Sequence, residues 1–226
     1  RAGARELLAR LGEFKLKWFS HASMNIAKDP EMLELCQRSG CIGLFIGFET
    51  LSTETLRTLG KRVNHPEEYL EVVRRIHDHG IGIDASFVFG LDGDDEGVFD
   101  RTLEFVERAK IEVAYYSILT PYPGTRLHQR LMEEKRILSQ DWSLYDTSHV
   151  VYRPRKLTPD QLLAGYARVV KESFSLRAIF GRLWGTTAYK PFFYPMNVGF
   201  RQSSRAMWRA YRQGHMELPA DTMPPA

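Results

Sequence analysis

Several segments of this chain pair a buried-strand pattern with polar groups at the strand's end, the arrangement that puts chemistry at the mouth of a parallel sheet. The apolar run Ile42 to Phe48 closes on Gly47-Phe48-Glu49-Thr50, so the Glu49 carboxylate stands where a strand gives way to the helix-like stretch Ser52 to Leu59. A carboxylate there has two uses. It can accept hydrogen bonds from the vicinal hydroxyls of a ribose, as acidic residues do in other α/β nucleotide sites, or it can meet the amides and dipole of the following helix. Gly82 to Asp95 repeats the layout, with Ser86 on the strand and a Gly90-Leu91-Asp92-Gly93 turn at its end. Val113 to Leu119 then runs into Thr120-Pro121-Tyr122-Pro123-Gly124-Thr125. The prolines there fix φ, and backbone groups from Leu119 to Tyr122 can bracket a flat heterocycle between apolar walls, or simply form a structural turn.

Other reactive residue types are less promising. Asp92, Asp94, Asp95 and Glu96 are close enough to suggest a hard cation, but the spacing matches a calcium loop poorly, and Asp94-Asp95 suits a helix N-terminus better. His77 and His79 lie two apart in a helical pattern and do not share a face. His128, His149 and His215 have no serine or cysteine partner at a catalytic spacing, which excludes a hydrolytic triad. Cys36 and Cys41 are too few for a disulfide framework or a metal cluster, and both are expected to be buried structural thiols.

The elements that must position these residues read as alternating strands and helices. Lys15 to Ile26 alternates as a strand would, with His21 and Ser23 on one face and Ala22 and Met24 on the other. Asp29-Pro30 supplies an N-cap and a first-turn proline, Met32, Leu33, Leu35 and Cys36 form the buried stripe that follows, and Gly40 stops the helix. Pro66 opens a helix over Glu67 to His79, with Tyr69, Val72, Val73 and Ile76 toward the sheet. Glu96 to Ala109 presents Val98, Phe99, Leu103, Phe105 and Val106. Strands and helices in this order, joined by right-handed crossovers, predict a parallel sheet with ligands at the strands' C-terminal ends. An arc of a barrel fits better than a sandwich.

The chain has 226 residues, 43% hydrophobic and 26% charged, with a net charge of +3. That is enough apolar material for one large domain, or one and a half. No apolar run reaches the roughly 18 residues of a membrane span and no signal peptide opens the chain, so the cytoplasm is the expected compartment. Residue 1 is Arg, and Arg5 to Leu11 reads as the end of an amphipathic helix, so the chain is expected to be a fragment. From Ser175 to Gly214 there are seven Lys or Arg, nine aromatics and no acidic residue. Such a region can pack one face and solvate the other, or meet an anionic membrane surface. The modest overall charge argues against a nucleic-acid module. The tail 218–226, rich in proline, is expected to be disordered.

The run Gly47-Phe48-Glu49-Thr50 with Leu56 and Lys61, the Gly90-Leu91-Asp92-Gly93 turn, and Pro121-Tyr122-Pro123-Gly124-Thr125 together resemble the radical S-adenosylmethionine enzymes. Tyr145 to Pro154, Leu157-Thr158-Pro159 and Tyr166 are similar to the C-terminal extension of that superfamily's cobalamin-binding branch. The resemblance implies an α/β fold, the C-terminal portion of a partial (β/α)6 TIM-like barrel over 1–138, followed by a mainly helical extension over 139–217. It implies a 4Fe-4S cluster that cleaves S-adenosylmethionine to a 5′-deoxyadenosyl radical, with cobalamin as a further cofactor. The family's CxxxCxxC loop does not occur here, so the cluster cysteines and the cobalamin domain are expected upstream of Arg1, and these residues alone are expected to be inactive. Asp92 stands where the family more often has proline and a single glutamate.

On the same resemblance, Glu49, Lys61, Ser23, Ser86, Leu119 and Tyr122 are the cosubstrate contacts. Glu49 would take the ribose hydroxyls and Lys61 the methionyl carboxylate, although a solvated lysine at a helix end reads equally well. The implied activity is methylation of an unactivated carbon on a small or lipid-like substrate, supported by an electron donor such as flavodoxin or ferredoxin. Oxidative cyclisation by a radical enzyme and a cluster-less binding or scaffold module are the alternatives. Membrane contact through 175–214 is expected to be weak.

Overall fold

The computed structural model describes residues 2–58 and 64–216. Four parallel strands lie in sequence order: β1 (Trp18–His21), β2 (Cys41–Glu49), β3 (Gly82–Phe89) and β4 (Val113–Ile118). Around them run α1 (Ala2–Glu13), α2 (Pro30–Arg38), α3 (Thr53–Thr58), α4 (Tyr69–His77), α5 (Val98–Arg108) and α6 (Arg126–Glu133). Then come α7 (Pro159–Ser173), α8 (Leu176–Leu183) and α9 (Lys190–Arg212). The α/β arc with a helical extension is therefore as the sequence suggests.

Strand alternation sorts the sheet into two faces. Leu44, Ile46 and Phe48 on β2, and Ile83, Ala85, Phe87 and Phe89 on β3, are essentially solvent-free. This face packs against the helices that connect the strands. Phe48 anchors it, with ring centroids 4.9 Å from Tyr69, 5.6 Å from Phe87 and 5.7 Å from Phe105. The residues between them, Phe45, Gly47 and Glu49 on β2 and Ser86 and Val88 on β3, are only half-buried and form the opposite, inner face. Pairing sets Phe45 beside Asp84, and Gly47 beside Ser86, with Ser86 in turn beside Tyr115.

The extension closes the lower end of that inner face. Gly43 and Gly82 are paired neighbours, and the fully buried Phe193 of α9 fills the space their missing side chains leave. A Cβ on Gly43 would stand 2.8 Å from the Phe193 ring, and one on Gly82 would stand 2.3 Å from it. Polar ties hold the plug in place. Arg182 Nη1 donates to the Ser173 carbonyl at 2.7 Å, Arg182 Nη2 to Asn197 Oδ1 at 3.2 Å, and Asn197 Nδ2 to the Glu112 carbonyl at 3.0 Å. Burial pulls the Arg182 pKa down, and these bonds offset part of that desolvation. The fully buried Glu112 accepts from the Ile83 amide at 2.8 Å and lies 3.1 Å from His77 Nε2.

The first strand is shorter than the Lys15 to Ile26 pattern suggests. Lys15 adopts φ 53, turning the chain after α1, and Met24–Lys28 forms a 3-10 helix that buries Met24 and Ala27. Alternation therefore stops at His21, and Ser23 does not share a strand face with it. Asp29 does cap α2 as its sequence indicates, accepting from the Met32 amide at 3.0 Å.

Candidate functional site

The C-terminal ends of β2, β3 and β4 form one rim, and each end is built differently. At the end of β2 the pairing with β3 slips between Gly47 and Glu49, and Glu49 takes φ 66, a left-handed backbone. For a residue with a Cβ that conformation is strained by roughly 1–2 kcal/mol, the kind of strain that concentrates at functional sites. The twist folds the side chain back over the strand: Glu49 Oε1 lies 2.7 Å from where a Cβ on Gly47 would be. The carboxylate thus sits on the inner face, at the rim. The neighbouring carbonyls are tied down, since Asn64 Nδ2 donates to Gly47 O at 3.0 Å and the Tyr69 hydroxyl donates to Phe48 O at 2.8 Å.

The alternative reading of Glu49 as a helix cap meets a nearer residue in that role. Ser52 does that work for α3, accepting from the Thr55 amide at 3.2 Å.

The end of β3 turns through Gly90, which has φ 92. Asp94, almost fully buried, accepts from the Gly90 and Leu91 amides at 2.9 and 3.0 Å, while the Tyr152 hydroxyl donates to the Gly90 carbonyl. Burial pushes the Asp94 carboxyl up to about 6, against the pull of those two amides. Asp94 is therefore a turn clamp and not a helix cap, because the N-cap of α5 is Gly97, with no side-chain cap bond. Asp92 faces the other way, pairing with Arg136 at 2.8 Å, Arg130 at 3.0 Å and Arg155 at 3.3 Å. The acidic run is thus structural, and among the described residues no group of His, Cys, Asp and Glu is arranged to hold a metal ion.

The end of β4 carries Leu119 and Tyr122. The Leu119 amide donates to Phe89 O at 2.8 Å and the Tyr122 amide to Thr120 O at 3.0 Å, so both amides are spent inside the chain. The Leu119 side chain packs toward Leu131, Ile137 and Tyr152, whereas the Tyr122 ring is exposed at the rim. Glu49 and Ser86 thus lie on the inner face of neighbouring strands, and Leu119 and Tyr122 follow the C-terminal end of β4. Ser23 is exposed two residues beyond β1, and Lys61 lies outside the described residues.

Sequence patterns pass over one member of this face. Asp84 lies on it, two residues above the Phe193 plug, and is 5% exposed. Its Oδ1 is enclosed with no hydrogen-bond partner, and burial pushes the carboxyl up to about 7. A lone Asp inside an otherwise apolar strand is the signal that could have flagged it.

Comparison with known proteins gives this rim a context. Residues 3–106 match the Radical SAM superfamily. The chain is 36% identical over 180 residues to bacteriochlorophyllide d C-12(1)-methyltransferase of Chlorobaculum tepidum, covering 80% of this chain and 39% of that protein. The chain belongs to the radical S-adenosylmethionine superfamily.

A second relative, hopanoid C-2 methylase of Rhodopseudomonas palustris, is 33% identical over 147 residues, 62% of this chain and 28% of that protein. The fold matches the radical S-adenosylmethionine methyltransferase TsrM of Kitasatospora setae, solved with tryptophan and a cosubstrate analogue. That match has a TM-score of 0.61 at 14% identity, over 95% of this chain and 50% of that one. The chain spans less than half the length of both sequence relatives.

The superfamily's two cosubstrate groups fit these residues unequally. A 4Fe-4S cluster needs three or four cysteine thiolates, but the chain has only Cys36 and Cys41, and both are buried. Burial pushes their thiols up to about 11 and about 12. They are structural, as expected, and no step of the chemistry is assigned to them. S-adenosylmethionine fits better: the Gly47 surface leaves room for Glu49 to turn its carboxylate inward, beside the Ser86 strand.

Proposed function

We propose that this chain is the cosubstrate-cradling part of a cobalamin-dependent radical S-adenosylmethionine methyltransferase, acting on an unactivated carbon of a tetrapyrrole or another lipid-like molecule. When bound, the cluster and S-adenosylmethionine supply radical chemistry and cobalamin supplies the methyl group. The residues described here bind and orient. Glu49 accepts the ribose hydroxyls, Ser86 contributes a small polar group beside it, and the Leu119 to Tyr122 rim flanks the adenine. The cluster ligands and the cobalamin site are assigned to parts of the protein other than these residues.

One observation carries the reading: the strained, inward-turned Glu49 carboxylate, whose capping role is already filled by Ser52. Methyl transfer is favoured over cyclisation because both sequence relatives reported above are named as methylating enzymes, one on a tetrapyrrole and one on a hopanoid.

The test is titration calorimetry of the full-length protein with S-adenosylmethionine. Glu49→Gln keeps shape and hydrogen-bonding capacity but loses the charge-assisted bonds. Its affinity should fall about tenfold, roughly 1.4 kcal/mol, with the thermal midpoint held. Unchanged affinity would remove Glu49 from the site and the reading with it.

A further inference from the structure

The extension carries an apolar stripe that nothing in the fold uses. Leu176, Phe180 and Trp184 are 66%, 55% and 69% exposed. Their spacing of four places Leu176 and Phe180 on one face of α8, with Trp184 at its C-cap, and the Phe180 and Trp184 rings are in contact, with centroids 4.9 Å apart. The buried side of the same helix is taken by Ala178, Ile179, Arg182 and Leu183. On α9, Tyr194 and Val198 are likewise exposed one turn apart. Large apolar side chains grouped in water mark an interaction site.

Cations flank this stripe. Lys171, Arg177, Arg201, Arg205 and Arg209 line a cavity of about 890 Å³ between α7, α8 and α9. Among the described residues, Lys171, Arg177, Arg205 and Arg209 form no ion pair, whereas Arg74, Arg75, Arg130, Arg136 and Arg155 all do. Two carboxylates, Glu107 and Glu172, reach the same cavity, and Glu172 lies 3.7 Å from Arg168. From 175 to 214 the sequence has no acidic residue. The surface therefore holds a surplus of positive charge beside exposed apolar rings.

We propose that α8 and the adjoining face of α9 dock on an anionic lipid bilayer. Leu176, Phe180 and Trp184 enter the headgroup boundary while the arginines meet lipid phosphates, the arrangement of an interfacial amphipathic helix. No helix among the described residues is long and apolar enough to cross a membrane, so the contact lies flat. Single-stranded nucleic acid fits less well. Stacking needs free aromatic faces inside the basic groove, but the groove's Trp208 ring is covered by Lys171 at 4.0 Å, and the free rings are on α8. The inference stands on this surface alone, independently of methyl transfer.

The experiment is co-sedimentation of the full-length protein with vesicles of phosphatidylcholine, alone or with added phosphatidylglycerol. Binding is expected only to the anionic vesicles and should weaken as salt shortens the Debye length. The pair Arg177→Glu with Arg205→Glu should lower partitioning about tenfold or more, and the pair Phe180→Ser with Trp184→Ser by a similar factor. All four side chains are exposed, and unchanged circular-dichroism melts would confirm intact folding. The proposal is overturned by no association, by equal association with neutral vesicles, or by either variant pair binding as wild type does. Release by inorganic phosphate at constant ionic strength would indicate a free-anion site instead, and tighter binding to a single-stranded oligonucleotide a nucleic-acid surface. Either also overturns it.

Discussion

The Glu49 carboxylate lies across Gly47, with Oε1 2.7 Å from the position a Cβ there would take. The relationship explains why β2 has a glycine at 47. Gly47→Ala should push the carboxylate away from the inner face. Since only the far end of a flexible side chain must move, the fold should tolerate the change, with a midpoint shift of no more than a few degrees. S-adenosylmethionine affinity should fall about tenfold. Calorimetry beside a thermal melt separates the two effects, and an alanine variant that binds normally would show that the Glu49 position is incidental.

Gly90 and Tyr152 make a second close pair, this one structural. A Cβ on Gly90 would stand 2.3 Å from the Tyr152 hydroxyl and 2.7 Å from a Leu162 methyl, at a φ of 92. Gly90→Ala should therefore destabilise by about 2–4 kcal/mol. Tyr152→Phe removes the donor to the Gly90 carbonyl and should cost about 1–3 kcal/mol. It also removes the atom that clashes. The double variant should be less damaged than the sum, with a coupling of at least about 1 kcal/mol in urea unfolding. Simple additivity would mean that the turn relaxes away from Tyr152.

Much of the fold was legible because its signals are local. Asp29-Pro30, the Val72, Val73 and Ile76 stripe and the apolar runs of β2 and β3 each announce their element through propensity and period. The rim was legible in part. Glu49 could be singled out from its place at the end of an apolar run, but its inward turn depends on a register slip between two strands, and no spacing along one strand encodes that. The Asp94 clamp was misread because a carboxylate before a helix has the same sequence appearance whether it caps the helix or closes the preceding turn. Phe193 was beyond reach for another reason. Its partners, Gly43 and Gly82, lie more than a hundred residues earlier, and an absent side chain gives no pattern to match.

That long-range fit sets the floor of the inner face. Phe193 is fully buried against two glycines, so Phe193→Ala opens a cavity beside them. The expected loss is about 3–5 kcal/mol, read from urea denaturation. Gly82→Ala should also destabilise, through overpacking against the same ring, by about 1–3 kcal/mol. Combined, the methyl added at Gly82 stands where the Phe193 ring was, so the pair should be less than additive. Additive losses would indicate that α9 docks without depending on this contact.

Asp84 makes the stability of the same floor depend on pH. Its carboxyl is held up to about 7 by burial, against about 3.9 for an unfolded aspartate. Between those values the folded state keeps a proton that the unfolded state gives up. Stability is therefore full below pH 4 and falls as pH rises toward 7, then levels. The whole effect is about 4 kcal/mol at pH 8, of which about a third has already appeared at pH 5. Asp84→Asn cannot ionise and should lack this slope, while the groups that titrate elsewhere, Asp94 among them, do so in both proteins. From pH 5 to pH 8 the wild-type protein should thus lose about 3 kcal/mol relative to Asp84→Asn, measured by urea unfolding at each pH. Parallel stability curves would show that the buried carboxyl is charged and paired in the folded protein, and that the inner face carries a fixed negative charge instead of a neutral hydrogen-bond donor.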